Sequence, residues 1–355
     1  MEIVKIDIDT AAPDNPEASI LIIYTGGTIG MVFDDEHKHL VPFNFSQIIQ
    51  KVPELRQFNF LLTVVSVEPA IDSSNVTIAD WHIMARLIEE NYSNYDGFVI
   101  LHGTDTMAYS ASALSYMLEN LQKPVIFTGA QVPIGRVRTD ARENLISALQ
   151  IAATKVDGRS AVPEVCVYFH NLLLRGNRAK KVESSQYSAF KSENYPSLAK
   201  AGVNIDYFWG AIADHSEQPF RVHYQMNDRV AILKLFPGIT PTVVRSIVEA
   251  PGLRGLVLET FGAGNAPTAP WLLDLLREAV QRDILIVNVS QCDEGMVRQG
   301  HYETSRYLLE MGVIGGADIT TEAAITKLMY VLGQGLEYSK SAKLLEQNLR
   351  GEISL

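Results

Sequence analysis

The chain has 355 residues, 47% of them hydrophobic, and a formal net charge of −11 at pH 7. A chain of this length and composition can bury one large or two medium cores, so we expect two domains. The acidic balance argues against a nucleic-acid partner, because nucleic-acid surfaces need clustered lysine and arginine. A small polar partner is expected instead.

Only two cysteines occur, Cys166 and Cys292, which excludes a disulfide scaffold and fits a reducing compartment. Residues 1-18 are acidic and interrupted by prolines, without the apolar core of a signal peptide. No later apolar run is long enough to span a bilayer. The sequence therefore predicts a cytoplasmic protein without membrane contact, beginning with a frayed leader over residues 1-18.

The stretch from Ile20 to Tyr24 is continuously apolar and predicts a buried parallel strand. It ends in Thr25-Gly-Gly-Thr28, where the glycines permit a tight turn and a close approach to a ligand. Thr28 then presents its hydroxyl at the strand tip. A purely structural turn is the other interpretation of this stretch. The glycine spacing matches neither the dinucleotide nor the phosphate-loop pattern.

Two further apolar runs end in the same way. Gly97 to Leu101 precedes His102-Gly-Thr-Asp-Thr106, and Pro124 to Phe127 precedes Thr128-Gly-Ala-Gln131. Because ligands bind beyond the carboxyl ends of parallel strands, three tips of one kind predict one shared site.

A strand over Phe60 to Val67, with a polar tip over Glu68 to Asn75, and a strand over Val165 to Phe169 are also expected in this half of the chain. Thr77 and Asp80 form a capping-box pair that predicts the start of a helix. A polar connection over residues 171-201 is expected to lack regular elements.

The polar segment from Met31 to Pro42 predicts a mobile flap. Its His37 and His39 lack carboxylate or cysteine support at metal-ligand spacing, so we expect solvated histidines and no metal site.

An aperiodic stretch over residues 208-228 predicts a linker. Beyond it, strands over Val230 to Phe236, Leu256 to Glu259 and Ile284 to Ser290 alternate with helices, which predicts a parallel sheet with right-handed crossovers. The predicted fold class is α/β with two doubly wound domains. The larger N-terminal domain, residues 19-207, has a mixed or parallel sheet, and the smaller C-terminal domain, residues 229-355, has a parallel sheet.

Hydroxyls beside a carboxylate can serve acyl transfer. A threonine becomes a nucleophile once a base accepts its proton, and a desolvated lysine with a lowered pKa can be that base. The candidates are Lys180 and Lys181 in the glycine-turned loop Arg175-Gly-Asn-Arg-Ala-Lys-Lys-Val182. The alternative is that Asp105 only caps the following helix and that both lysines are solvated.

Tyr24-Thr-Gly-Gly-Thr-Ile-Gly30 and Leu101-His-Gly-Thr-Asp-Thr-Met107 resemble the two signatures of the bacterial-type L-asparaginases, specifically their type I branch. The resemblance covers nearly the whole chain and continues through Thr128-Gly-Ala-Gln131, Arg175-Gly-Asn-Arg178, Gly262-Ala-Gly-Asn-Ala-Pro267 and Gly315-Gly-Ala-Asp318. It implies a two-domain α/β fold in homodimers or dimers of dimers, and hydrolysis of L-asparagine to L-aspartate and ammonia without a cofactor.

By motif position, Thr28 resembles the family's primary nucleophile. Three residues resemble the triad around its second threonine: Thr104, Asp105 and Lys181. Four further residues resemble the family's substrate contacts, together with Thr104 and Asp105: Asp72, Ser73, Ser74 and Ala130. Hydroxyl and backbone donors suit the substrate's α-carboxylate, and Asp105 suits its ammonium group.

The chain departs from the family pattern at the flap and in the lysine loop. Leu40 stands where many members carry a tyrosine, so another group must relay the proton of Thr28. We predict Tyr302, from a segment that borders the neighbouring protomer's site in this family, and the alternative is a plain interface tyrosine. Lys180 replaces the small hydroxyl residue that often precedes the catalytic lysine.

A third departure concerns regulation. Some type I members bind an effector asparagine through an arginine at position 259 and a cysteine at position 292, whereas this chain has Glu259 and Cys292. A carboxylate repels the effector's carboxylate, so we predict hyperbolic rather than sigmoidal kinetics with asparagine.

Two alternative functions stay open on this fold. One is the ammonia-supplying subunit of a glutamyl-tRNA amidotransferase, which carries an additional N-terminal domain. The other is a non-catalytic amino-acid sensor, which is expected to lose Thr28 or Thr104, and this chain has both.

Overall fold

The computed structural model describes residues 2-34, 39-42, 48-301 and 303-354. The chain divides into two compact units. The first comprises the residues up to Ser192 together with Pro196–His223, and the second comprises Glu193–Tyr195 and the residues from Tyr224 onward. The division between His223 and Tyr224 falls inside the stretch predicted as a linker.

The first unit contains a nine-stranded mixed sheet. Its strands are β1 Glu2–Ile8, β2 Ser19–Gly26, β3 Leu61–Ile71, β4 Gly97–Leu101, β5 Val125–Thr128, β6 Val165–Phe169, β7 Leu172–Arg175, β8 Ala199–Ala201 and β9 Ile205–Tyr207. Their order in space is β1-β3-β2-β4-β5-β6-β7-β8-β9. The five adjacent strands β3, β2, β4, β5 and β6 pair in parallel. The pairs at the two edges, β1 with β3 and β6 through β9, are antiparallel.

The helices of this unit are α1 Ile48–Lys51, α2 Ile78–Asn91, α3 Met107–Met117 and α4 Ala141–Ala153. The predicted capping box is present at the start of α2, where Thr77 N donates to Asp80 Oδ2 over 2.8 Å. Short two-stranded pairs complete the unit: Met31–Asp34 with His39–Pro42, Lys180–Lys181 with Phe190–Lys191, Lys155–Val156 with Arg159–Ser160, and Leu118–Glu119 with Arg221–Val222.

The central strands are apolar because both sheet faces are covered. Ile20 to Tyr24 are all buried, as predicted for a parallel strand between two layers. The chain passes from β2 outward to β3 and then returns to the other side of β2 to form β4. The carboxyl ends of β2 and β4 therefore flank a topological switch point, where open α/β sheets bind ligands.

The second unit has a four-stranded parallel sheet, β10 Val230–Lys234, β11 Gly255–Thr260, β12 Leu285–Ser290 and β13 Ile314–Gly315, in that spatial order. Its helices are α5 Pro241–Val248, α6 Pro270–Gln281, α7 Glu303–Glu310, α8 Thr321–Gly333 and α9 Tyr338–Glu346. The predicted α/β class, with a larger mixed sheet and a smaller parallel sheet, is confirmed.

Two local predictions are wrong. The leader is not frayed over Glu2–Ile8, because this segment pairs antiparallel with β3 along its whole length. The connection over residues 171-201 is not irregular, because it contains β7, β8 and the Lys180–Lys181 pair with Phe190–Lys191. Pairing with other segments of the chain, rather than a local pattern, determines these strands.

Candidate active site

Three strand tips lie side by side at one edge of the large sheet. In the register, Tyr24 of β2 is opposite Leu101 of β4, and Leu101 is opposite Thr128 of β5. The polar segments that follow these three residues therefore leave the sheet at the same level. The predicted convergence of three tips is confirmed for the first unit.

Glycines allow the backbones of these tips to touch. Gly27 has a φ of 88°, and a Cβ on it would lie 2.5 Å from Gly103 N. A Cβ on Gly103 would in turn lie 2.4 Å from Ser73 Oγ. A side chain at either glycine would separate the segments that carry Thr28, Ser73 and Thr104.

Thr28 begins a single 3-10 turn, Thr28–Gly30, and is partly buried. Its hydroxyl has no hydrogen-bond partner among the described residues. Tyr24 fixes the last residue of the turn, because its hydroxyl donates to Gly30 O over 3.2 Å. Burial raises the pKa of Tyr24 to about 12, so the phenol remains a donor.

Thr104, Lys181 and Asp105 make direct contacts. Lys181 Nζ donates to Thr104 Oγ1 over 2.8 Å and to Asp105 Oδ1 over 2.7 Å. The Lys181 side chain is 17% exposed, whereas Asp105 is 68% exposed. Asp105 therefore offers its carboxylate both to Lys181 and to solvent, and Thr106 rather than Asp105 is the N-cap residue of α3.

The strand pairing explains which of the two lysines reaches Thr104. Lys180 and Lys181 form a short strand in which Lys181 is opposite Phe190. Successive side chains of a strand point to opposite faces, so only one of two adjacent lysines can point into the site. Lys181 is that residue.

The predicted substrate loop follows β3. Asp72 Oδ1 accepts hydrogen bonds from Ser74 N at 3.0 Å and from Ser74 Oγ at 2.9 Å, which fixes the 3-10 turn Ser73–Asn75. Ser73 is buried, and its carbonyl accepts from Thr106 Oγ1 over 2.7 Å. Asp72 and Ser74 are exposed, so the loop presents polar groups to solvent beside the buried Ser73.

The hydroxyls of Thr25 and Thr128 have structural partners. Thr25 Oγ1 donates to Leu101 O over 2.9 Å, and Thr128 Oγ1 donates to Tyr168 O over 2.8 Å. Of the four threonines expected at the tips, Thr28 and Thr104 are the two whose hydroxyls are not committed to a carbonyl of a neighbouring strand.

The third tip contributes Ala130 and Gln131. Ala130 is 1% exposed, so its side chain belongs to the core while its backbone borders the tips. Gln131 Oε1 accepts a hydrogen bond of 3.4 Å from Thr104 Oγ1. Thr104 thus contacts a cation on one side and an amide oxygen on the other.

Sequence reasoning missed a buried histidine behind Thr104. His102 Nε2 lies 3.0 Å from Ser110 Oγ, which accepts from Trp81 Nε1 over 2.9 Å, and His102 Nδ1 lies 2.7 Å from Gly103 O. Burial lowers the pKa of His102 to about 4, so the ring is neutral near pH 7. Its place between an apolar strand and Gly103 was the only signal in the sequence.

The flap is described only in part, and Tyr302 is not described. Leu40 belongs to the strand His39–Pro42, whereas His37 and Tyr302 lie outside the described residues. The role predicted for Tyr302 stays a prediction.

Glu259 lies at the carboxyl end of β11 in the second unit. Its Oε1 accepts from Thr321 Oγ1 over 2.7 Å, at the first residue of α8, and its Oε2 is 3.4 Å from Lys234 Nζ. A carboxylate at a helix N-terminus is electrostatically favourable. Cys292 is exposed in the same unit, and its N–H donates to Ser290 Oγ.

No cluster of three or more metal-ligating side chains occurs within residues 2-34, 39-42, 48-301 and 303-354. Over the same part of the chain, each helix is too short or too polar to cross a bilayer.

Comparison with known proteins agrees with this architecture. The family model "Asparaginase, N-terminal" matches residues 19–213, and "Glutaminase/Asparaginase C-terminal domain" matches residues 229–345. The chain belongs to the asparaginase family. The family predicted from the two signatures is confirmed.

Individual relatives align over nearly all of this asparaginase-family chain. L-asparaginase 1 of Escherichia coli (strain K12) is 42% identical over 337 residues, covering 95% of this chain and 98% of the relative. The 60 kDa lysophospholipase of Mus musculus is 42% identical over 366 residues, covering 96% of this chain and 63% of the relative. The chain thus spans less than two thirds of that mouse protein. The crystal structure of L-asparaginase I from Vibrio cholerae O1 biovar eltor has a TM-score of 0.86 at 41% identity, covering 95% and 99% of the two chains.

Proposed function

We propose that this chain is an L-asparaginase that hydrolyses L-asparagine to L-aspartate and ammonia with Thr28 as nucleophile. The observation that carries the proposal is the pair of contacts from Lys181 Nζ, 2.8 Å to Thr104 Oγ1 and 2.7 Å to Asp105 Oδ1. In contact at a strand tip, Lys181 can pass a proton to Asp105, and its free amine can then accept one from Thr104, so the three groups can move a proton without a metal or cofactor.

Substrate binding follows from the charges at the tips. The substrate is a zwitterion, so its ammonium group needs a carboxylate, which Asp105 offers because it is 68% exposed. Its α-carboxylate needs hydroxyl or backbone donors, and the turn that Asp72 fixes offers those of Ser73 and Ser74. The substrate's ammonium group would then compete with Lys181 for hydrogen bonds to the Asp105 carboxylate.

The reaction then proceeds in two acyl-transfer steps. Thr28 Oγ1 attacks the side-chain amide carbon while its proton passes to the relay group, for which Tyr302 is the candidate. Backbone N–H groups of the tips stabilise the oxyanion. The C–N bond breaks, the nitrogen takes up a proton, and ammonia leaves an aspartyl ester on Thr28. Thr104 and Lys181 then activate water, which attacks the ester, releases L-aspartate and restores the Thr28 hydroxyl.

Three variants test the assignment. We expect Thr28→Ala, Thr104→Val and Lys181→Met each to lower kcat by about 10²-fold or more, the usual minimum for a positioned proton-transfer or nucleophilic group, in protein that stays folded. Lys180→Met is the matched control, because it removes the same charge from the neighbouring position, and it is expected to be mild. Equal loss at both lysines would mean that the wrong one was assigned or that the loop acts as a unit.

The alternative functions are separated by ammonia release from the purified protein with L-asparagine, L-glutamine and D-asparagine over a wide concentration range. An asparaginase releases ammonia from L-asparagine without tRNA or a partner subunit. A sensor would bind an amino acid and release none, and an amidotransferase subunit would depend on its partner and tRNA.

Assembly and location belong to the same proposal. We expect homodimers or dimers of dimers, located in the cytoplasm. Sedimentation of the purified chain measures the oligomeric state. If Tyr302 acts on the neighbouring protomer's Thr28, subunit exchange between Tyr302→Phe and Thr28→Ala proteins restores activity from two inactive parents. Lack of recovery after exchange verified by mass would exclude that arrangement.

A further inference from the structure

A buried carboxylate binds the backbone of the third strand tip. Asp140 is 9% exposed, and its two oxygens accept from Gln131 N at 3.1 and 3.0 Å. Oδ1 also accepts from Val132 N over 3.0 Å. Three charge-assisted contacts therefore hold the two residues after Ala130.

Asn144 holds the other side of the same segment. Its Nδ2 donates to Gly129 O over 3.0 Å and to Asp140 Oδ2 over 3.2 Å, and its Oδ1 accepts from His170 N over 3.1 Å. Ala130 thus lies between a carbonyl bound by Asn144 and an N–H bound by Asp140.

The first-turn backbone of the helix makes no hydrogen bond to this carboxylate. Asp140 is the N-cap residue of α4, and an N-cap aspartate usually accepts from the first turn of its own helix. Here the side chain makes no cap hydrogen bond, and Thr139 Oγ1 instead accepts from Ala141 N over 3.0 Å. An N-cap aspartate that does not bond the first-turn backbone of its own helix and instead binds another segment indicates a role at that other segment.

We propose that Asp140, assisted by Asn144, is a positioning residue for the substrate site. It acts by holding the backbone of the segment from Gly129 through Val132 in place. The inference rests on the proposed function, in which Ala130 is a substrate contact. The segment has little freedom to compensate, because a Cβ on Gly129 would lie only 2.5 Å from His102 O. Displacement of this tip changes the width of the site between Ala130 and Thr104.

Asp140→Asn tests the proposal with an almost isosteric change. An amide has one acceptor oxygen and no charge. With that oxygen in the place of Oδ1, its NH₂ group takes the place of Oδ2 and faces Gln131 N and Asn144 Nδ2, which are also donors, so these two contacts are lost and the segment is displaced. Because misplacement of a binding segment by about 1 Å can change rates by about 10²-fold, we expect kcat/KM for L-asparagine to fall by roughly 10- to 100-fold. The larger share should appear in KM, since the chemical groups stay in place.

Glu143→Gln is the matched control. Glu143 lies in the first turn of the same helix, and its carboxylate accepts from Ser147 Oγ over 2.9 Å, away from the tip. It should keep kcat/KM within about twofold of the wild type, the range of a surface change worth less than 0.5 kcal/mol. If Asp140→Asn matched Glu143→Gln in KM and kcat, the positioning role would be excluded.

Amide hydrogen exchange gives a readout that does not depend on activity. Peptides that contain Gln131 and Val132 should exchange faster in Asp140→Asn than in the wild type, while peptides from β2 and β4 stay unchanged. Unchanged exchange at the tip would also overturn the inference. Wild type and Glu143→Gln that release no ammonia from L-asparagine would instead refute the proposed function. Should Asp140→Asn not fold, Asn144→Ser is expected to raise exchange at the tip and KM in the same way, and normal values in it would count against the proposal.

Discussion

The stability of the first unit should depend on pH through His102. The ring is buried and neutral, with Gly103 O bound at Nδ1 and Ser110 Oγ at Nε2, and its pKa is lowered from 6.5 to about 4 by desolvation. Well above pH 6.5 the ring is neutral in the folded and the unfolded chain and contributes no pH dependence. As the pH falls from 6.5 toward 4, the unfolded chain binds a proton that the folded chain does not, so stability falls in that window.

The size of the effect follows from the two pKa values. Each unit of difference corresponds to about 1.4 kcal/mol, and at pH 5 the unfolded histidine is almost fully protonated while the folded one is not. The free energy of unfolding should therefore be roughly 2 kcal/mol lower at pH 5 than at pH 8 because of His102.

A difference measurement isolates this term from the carboxylates that also titrate. We would compare the wild type with His102→Gln, whose amide is neutral throughout, by urea unfolding at pH 8 and pH 5 at one protein concentration. The variant is expected to be less stable at pH 8, because hydrogen bonds and packing are lost. The gap between the two proteins should shrink by about 2 kcal/mol at pH 5.

Phe98→Leu serves as the control, since it weakens the core of β4 without changing an ionisable group. Its gap from the wild type should be the same at both pH values. A gap between His102→Gln and the wild type that also stayed constant would refute the reasoning, and would mean that the folded protein accepts a proton at His102 near pH 6.

Three further predictions concern single contacts. Because the Glu259 carboxylate is held by Thr321 and would repel an effector's carboxylate, the rate should depend hyperbolically on L-asparagine, and a Hill coefficient clearly above one in steady-state assays would contradict this. Glu352→Gln removes the counter-ion of the buried Lys327 ammonium group, because Lys327 Nζ and Glu352 Oε1 are 2.7 Å apart at side-chain exposures of 2% and 0%. It should lower the unfolding free energy in urea by about 3 kcal/mol. Adding Lys327→Met to that variant should recover part of the loss, and no recovery would argue against the ion pair as the cause. Tyr24→Phe removes the donor behind the Thr28 turn and should lower kcat severalfold with KM nearly unchanged, whereas a larger change in KM would show that the turn binds substrate.

The strands of the large sheet and the convergence of its tips could be predicted from the sequence. Continuous apolar runs, such as Ile20 to Tyr24, identify strands that are covered on both faces, and the two signatures identify the family. The outer strands could not be predicted in the same way. Glu2–Ile8 and the strands after Phe169 alternate weakly, so their conformation depends on partners that are distant along the chain.

The candidate residues came from the sequence, but their availability did not. Thr25, Thr28, Thr104 and Thr128 are the same residue type at similar strand tips, and hydroxyl chemistry cannot distinguish them. The tertiary structure does so, because Thr25 and Thr128 donate to carbonyls of neighbouring strands. Lys181 likewise differs from Lys180 only through the strand pairing that gives each lysine its face.

The sequence by itself determined which segments form the central sheet, which family the chain belongs to and which polar side chains lie at the strand tips. Those properties follow from local hydrophobic pattern and motif, which are written along the chain. Tertiary structure alone decided that His102 is buried and neutral and that Asp140 binds the backbone of the third tip instead of the first-turn backbone of its own helix. Hydrogen bonds and desolvation depend on atoms brought together from distant positions, and no local pattern records those neighbours.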